Sequence, residues 1–246
     1  MDSVTWIGHS TVLIDLDGTR LLTDPVLLGR VAHLRRTSPL DLKPVSDIDA
    51  VLISHAHHDH LDPRSLVRLG HGQRIVVPSG ARRLLRHRRF TQVEEVGAGD
   101  VVRVGTVVVR ATYADHPGGR RRLFGPASSA LGYLVVGSRR VYFAGDTDLF
   151  EGMADLSPDL DLALLPIWGW GPRVGPGHLD PMRAAQALTL LRPRLAVPIH
   201  WGTFVPGWPR ARPPLDAPVR AFERHAAELA PDVQVRVLAQ GRALDL

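Results

Sequence analysis

The sequence has no cysteine. Disulfides and thiolate metal sites are therefore excluded, and any bound metal must take histidine and aspartate ligands. Lysine is nearly absent as well: of 30 basic side chains only Lys43 is a lysine. Together with 23 glycines and 20 prolines, this reads as a compositional habit of placing arginine wherever a cation is tolerated. The net charge of +5 is accordingly a solvated arginine-rich surface rather than evidence for a nucleic-acid partner. No apolar run approaches the ~18 residues of a membrane helix. The opening "MDSVTWIGHS" lacks the basic region and apolar stretch of a secretory signal, so a cytoplasmic location is expected. With 44% hydrophobic and 22% charged residues the composition is globular, and 246 residues fit one α/β domain spanning 1–246.

Histidine, by contrast, is plentiful. Four of the 12 histidines fall within "HAHHDHLD" (55–62), directly after the buried-type strand "AVLIS". Ligands at the first, third, fifth and sixth positions of such a run cannot share one face of a strand, so a turn must present them.

The chain opens with short strands, "VTWI", "TVLIDL" and "RLLT", and residues 26–47 read as a surface loop. Asp62-Pro63 and Asp180-Pro181 mark helix starts, Asp216 another, and Ser79 is expected to cap a basic helix over "GARRLLRHRR". "TVLIDLDGTRLLTDP" and "ALGYLVVGSRRVYFAGDTD" echo each other: both are strand–turn–strand units whose second strand ends in an aspartate. Two similar halves packed together would present those aspartates at one edge.

Strand ends collect the remaining candidates. His55, His57, Asp59 and His60 follow "AVLIS"; His116 follows "VRATYAD", Asp146 follows "VYFAG" and His200 follows "LAVPI". Seven imidazole and carboxylate ligands exceed the need of one tetrahedral ion and suit two divalent metals, zinc first, with manganese or iron as alternatives.

With these motifs in order, the chain resembles the metallo-β-lactamase superfamily. "WIGHSTVLI", "LLTDPV", "SHAHHDHLD", "YFAGDTD" and "PIHWGTF" resemble more specifically its N-acylphosphatidylethanolamine phospholipase D-like branch, with the sugar-phosphate lactonases nearby. The resemblance runs from about Trp6 to Phe204 and implies an α/β fold, a four-layer αβ/βα sandwich. It implies that His55, His57 and His116 hold one metal, that Asp59, His60 and His200 hold the other, and that Asp146 bridges them. Such a pair activates a shared water as a bridging hydroxide and favours a small anionic substrate. The expected reaction is hydrolysis of a phosphodiester or similar anionic ester, with lactone or carboxylic-ester hydrolysis as the alternative. A non-catalytic metal- or nucleic-acid-binding module is the third reading. No amphipathic helix with a basic rim is evident to seat the chain on a membrane, and self-association stays open.

Other residues are candidates around that core. Asp59 and His178 are expected to bear directly on turnover, His178 by meeting substrate or protonating the leaving group. Asp24, ending the first echoed unit, is expected to hydrogen-bond a ligand histidine. His9 is a candidate for substrate contact, for protonating the leaving group or for supporting a ligand from behind, and Asp148 for capping the next segment. In "GGRRRLFGP", Arg120, Arg121 or Arg122 could grip a phosphate bidentately. Trp168, Trp170 and Trp201 are expected mainly to pack.

Overall fold

A computed structural model describes residues 2–118, 128–156, 158–169, 174–207 and 214–246. The chain starts with three antiparallel strands, β1 (Ser3–Gly8), β2 (Thr11–Leu16) and β3 (Thr19–Thr23). Asp17 and Gly18 join the last two, both at positive φ (51° and 75°), as a two-residue hairpin turn of the right twist demands. The stretch expected to be only a surface loop contains β4 (Arg30–Val31) and β5 (Leu34–Arg36), and β5 pairs with residues 204–206. Val26, Val31, Leu34 and Phe204 form a small buried cluster there. Strands this short show no period, and their partner lies far away in sequence.

β6 (Ala50–Leu52), β7 (Arg74–Pro78) and β8 (Gln92–Val96) then add in parallel. Between the first two runs α1 (Pro63–Leu69); the Asp62 carboxylate accepts from the N–H groups of Arg64 and Ser65, and Pro63 begins the first turn. Between β7 and β8 the basic run forms two 3₁₀ turns, 82–84 and 86–88, instead of the expected helix. Ser79 Oγ donates to the Val96 carbonyl, so it caps nothing. Like charges one turn apart oppose a continuous helix, and Arg89 leaves in the left-handed region at φ 55°.

The second half repeats the plan. β9 (Val101–Val104), β10 (Val107–Tyr113), β11 (Leu131–Val136) and β12 (Arg140–Phe143) are antiparallel. β13 (Leu162–Pro166) and β14 (Leu195–Ile199) follow in parallel, joined across α2 (Pro181–Leu191), whose N-cap is Asp180. β15 (Phe204–Pro206) leads to α3 (Ala217–Leu229) and β16 (Gln234–Val235), and β17 (Arg242–Asp245) returns to pair with β1. The two main sheets are ordered β17-β1-β2-β3-β6-β7-β8 and β16-β14-β13-β12-β11-β10-β9.

Burial arranges these elements into layers. Val4, Ile14 and Leu52 of one sheet pack against Val109, Phe143 and Leu164 of the other. Along β13, Leu162 and Leu164 point into that space, whereas Ala163 and Leu165 meet α2 and α3 behind it. Leu22, Val51 and Ile53 face the opposite way, onto Leu61 and Leu66 around α1. The result is an α/β sandwich of four layers: helix, sheet, sheet, helices. β1, β3 and β6 share one direction in their sheet, and β10, β12 and β14 share one in theirs. The residues following all six therefore gather at one rim.

Candidate metal centre

Each of those six strands delivers an imidazole or carboxylate just beyond its end: His9, Asp24, His55, His116, Asp146 and His200. The turn after β6 adds His57, Asp59 and His60, while His58 points to solvent. His9, Asp24 and His200 have φ of 55°, 35° and 63°, a left-handed conformation that β-carbon-bearing residues adopt at some cost. Backbone strain of this kind concentrates at functional sites. Gly145, at φ +62°, precedes Asp146; a β-carbon there would lie 2.6 Å from Ser54 Cβ and 2.8 Å from the Leu131 carbonyl. Only glycine lets the two sheets close at this point.

Three histidines form one group. His57 Nδ1 lies 2.9 Å from His55 Nε2 and 3.1 Å from His116 Nε2. Asp59, His60, His200 and His9 form a second, with His60 Nε2 3.2 Å from both His200 Nε2 and Asp59 Oδ2. Asp146 stands between the groups. Its Oδ2 is 3.2 Å from His60 Nε2 and 3.9 Å from His55 Nε2, and its Oδ1 is 3.3 Å from His200 Nε2. Oδ1 is buried and receives no hydrogen bond from the described residues. A buried carboxylate oxygen without a donor is costly, and cations are its natural complement. Ring nitrogens facing one another at ~3 Å match the ligand–ligand edges of a tetrahedral site with ~2.0–2.1 Å bonds. The donor set therefore fits divalent metal ions of the zinc class.

The far side of four of these rings is held. His60 Nδ1 is 2.7 Å from Asp24 Oδ2, and His116 Nδ1 donates to the Gly177 carbonyl at 2.7 Å. His200 Nδ1 donates to the Trp168 carbonyl. His55 Nδ1 is 2.9 Å from Ser54 Oγ, whose hydroxyl donates in turn to Asp24. Each contact leaves the opposite nitrogen facing inward.

Electrostatics divide the two groups. Burial pushes His55 well below its ordinary value, lowers His57, and takes His116 down to about 4. Burial opposes charge on His60 too, but Asp146, Asp59 and Asp24 outweigh it and hold His60 well above the usual range. His200 is raised against burial by Asp146 and by Asp59. Burial works against ionisation of Asp59 and Asp146, yet the surrounding histidines hold both carboxyls well below the usual range.

The profile of the beta-lactamase superfamily domain matches residues 19–201, which contain every residue of both groups except His9. The chain belongs to the metallo-β-lactamase superfamily. It is 32% identical over 252 residues to a metal-dependent hydrolase of Rubrobacter xylanophilus, covering 98% of this chain and 95% of that one. It is 30% identical over 229 residues to an N-acyl-phosphatidylethanolamine-hydrolyzing phospholipase D of Caenorhabditis elegans, covering 82% of this chain and 64% of that enzyme. The solved structure of a metallo hydrolase from Ignicoccus hospitalis superposes with a TM-score of 0.74 at 25% identity, covering 99% and 97% of the two chains. The chain is thus similar over nearly its whole length to hydrolases of this superfamily.

In this superfamily member the remaining candidates fall in different places. His178 keeps part of its ring exposed, with Nε2 3.6 Å from Asp146 Oδ2 and the ring edge-on to His116 at 4.6 Å. His9 is 2% exposed, its Nε2 is 2.9 Å from Asp59 Oδ2, and its ring lies against His200. That is a place behind Asp59, in contact with a carboxylate of the site. Asp148 Oδ1 accepts from the Leu149 N–H and pairs with Arg183 of α2. Trp201 stacks on Trp6 at 5.2 Å, and Trp168 is buried. Arg120, Arg121, Arg122 and Trp170 lie outside the described residues. The carbonyls of Gly177 and Trp168 were not foreseeable, because backbone acceptors leave no side-chain signature in a sequence.

Proposed function

We propose that this chain binds two divalent metal ions, zinc by preference, and hydrolyses a phosphodiester or another small anionic ester. His55, His57 and His116 would hold one ion, Asp59, His60 and His200 the other, with Asp146 shared between them. The observation that carries the reading is Asp146 itself. A buried carboxylate with one undonated oxygen, lying within 4 Å of histidines from both groups, has the position of a bridge. When bound, two such ions act as Lewis acids that lower the pKa of a water and polarise the oxygen of the scissile group. The chain's own residues supply the rest. Asp24, Ser54 and the carbonyls of Gly177 and Trp168 keep the imidazoles in the tautomer that offers a lone pair inward. His178, partly exposed beside Asp146, is placed to donate a proton to the departing oxygen. Two divalent cations outweigh two aspartates, so the centre favours an anionic substrate.

A panel of bis-p-nitrophenyl phosphate, an aliphatic lactone and a p-nitrophenyl carboxylic ester tests this. Metal-loaded protein should cleave the phosphodiester fastest; a preference for the lactone or ester would transfer the assignment to carboxylic substrates, and no turnover on any would overturn the enzymatic reading. His178→Ala should slow a diester with an alkoxide leaving group by ~10²-fold or more. It should barely affect p-nitrophenolate release, which needs no proton. Equal losses on both would remove His178 from proton donation.

The charge states give a further expected result. The three-histidine group is neutral near pH 7, because burial depresses all three imidazoles. The second group keeps its protons to higher pH, because His60 and His200 are raised. Ligands bind metal only when deprotonated. Affinity for one equivalent should therefore keep climbing with pH above the ordinary imidazole range, where His60 and His200 give up their protons, while the other levels off below that range. Calorimetric titration in buffers of different ionisation enthalpy counts the released protons; equal release for both equivalents would contradict the assignment.

A further inference from the structure

His9 belongs to no part of the seven-residue set, yet the fold invests heavily in placing it. β1 ends in Gly8 at φ +130°, where a β-carbon would come within 2.9 Å of Arg36 Nη1 and 3.1 Å of Thr203 Cγ2. His9 then takes φ 55°. Its N–H donates to Thr203 Oγ1 at 2.7 Å, and its carbonyl accepts from Trp6 Nε1 at 2.8 Å and from the His200 N–H at 3.0 Å. Two segments, β1 and the loop between β14 and β15, thus fix the backbone of one residue. The ring is clamped equally: its centroid is 3.9 Å from that of His200, and Phe204 meets it edge-on at 5.3 Å. Its Nε2 points at Asp59 Oδ2, 2.9 Å away.

The need for such a contact follows from Asp59. Asp59 Oδ2 lies 2.9 Å from His9 Nε2, 3.2 Å from His60 Nε2 and 3.7 Å from His200 Nε2. If His60 and His200 give their Nε2 lone pairs to a cation, neither can donate to Asp59. His9 is then the remaining N–H at Asp59 among these three, and a buried carboxylate with a free rotor presents its oxygens at no fixed angle. We propose that His9 is a positioning residue for the second metal group: its Nε2–H donates to Asp59 Oδ2 and fixes the orientation in which Asp59 meets the ion. This rests on the two-metal reading given above. The bond is charge-assisted and water-excluded, the kind that holds geometry best.

The role differs from that of a ligand, and the difference can be measured without turnover. Zn²⁺ affinity for each equivalent is obtained by competition with a chromophoric chelator. His9→Leu should weaken one of the two equivalents by ~10–100-fold, the usual range for losing a partner that orients a ligand, and leave the three-histidine equivalent unchanged. His9→Gln, whose amide N–H reaches the same place, should recover most of the loss. Should His9→Leu not fold, Thr203→Val keeps the imidazole while releasing its backbone, and should weaken the same equivalent more modestly. Two unchanged equivalents in His9→Leu, or in Thr203→Val if it stands in, would overturn the proposal. So would His9→Gln losing as much as His9→Leu, which would make the imidazole nitrogen itself the ligand. A wild-type protein that binds a single equivalent would remove the two-metal reading and this proposal with it, and the wild-type titration shows that before any variant is made.

Discussion

Asp146→Ala should yield a folded protein whose turnover falls on the order of a thousandfold or more in kcat/KM. The residue is 2% exposed and reaches His55, His60, His178 and His200 within 4 Å, so no neighbouring carboxylate can take over. Its removal also withdraws the largest influence holding the His60 imidazole above its ordinary value. Asp146→Asn separates charge from shape: it keeps the side chain's volume but gives up the anion. Both variants should lose metal as well as activity, and circular dichroism should show the sheets unchanged, because the carboxylate lies at the rim and not between the layers. Metal-replete Asp146→Ala that hydrolyses the phosphodiester at the wild-type rate would take Asp146 out of the mechanism.

Asp24→Ala should have the largest effect on stability. The carboxylate is fully buried and accepts from the Ser54 N–H at 2.7 Å, from the Ser54 hydroxyl, and from His60 Nδ1 at 2.7 Å. Alanine strands all three donors in a dry site. Removing one partner of a buried, hydrogen-bonded pair costs roughly 3–5 kcal/mol, on the order of 10 °C in Tm for a chain of this size. Asp15→Ala is the comparison, since it breaks a 2.7 Å ion pair with Arg20 whose partners are each about one-quarter exposed. Solvent screens that pair, and the loss should not exceed about 1 kcal/mol. Thermal unfolding of the two variants side by side decides: similar shifts would mean that the Asp24 network carries no special weight.

The site was more legible than its surroundings. Histidines and aspartates at the ends of apolar runs stand out because a soluble core has no use for them there, and the echo between residues 11–25 and 130–148 foreshadowed two sheets of like plan. Asp62-Pro63 and Asp180-Pro181 begin helices because capping is chemistry local to four residues. What escaped was set at a distance. β5 pairs with residues 204–206, which no local pattern encodes, and β4 in turn pairs with β5. His9 was a candidate after "WIG", but its partner was not legible: only the folded chain brings it to Asp59, 50 positions away. The run from Arg82 to Arg89 has helix-forming residues, but charge repulsion and tertiary context set it as 3₁₀ turns.

A centre in which two metal ions share Asp146 is tested most directly by elemental analysis of the protein after loading with excess Zn²⁺ and removal of the unbound ion. The wild-type chain should retain about two zinc ions, and Asp146→Ala fewer. One ion or none retained by the wild-type chain would contradict a shared two-metal centre.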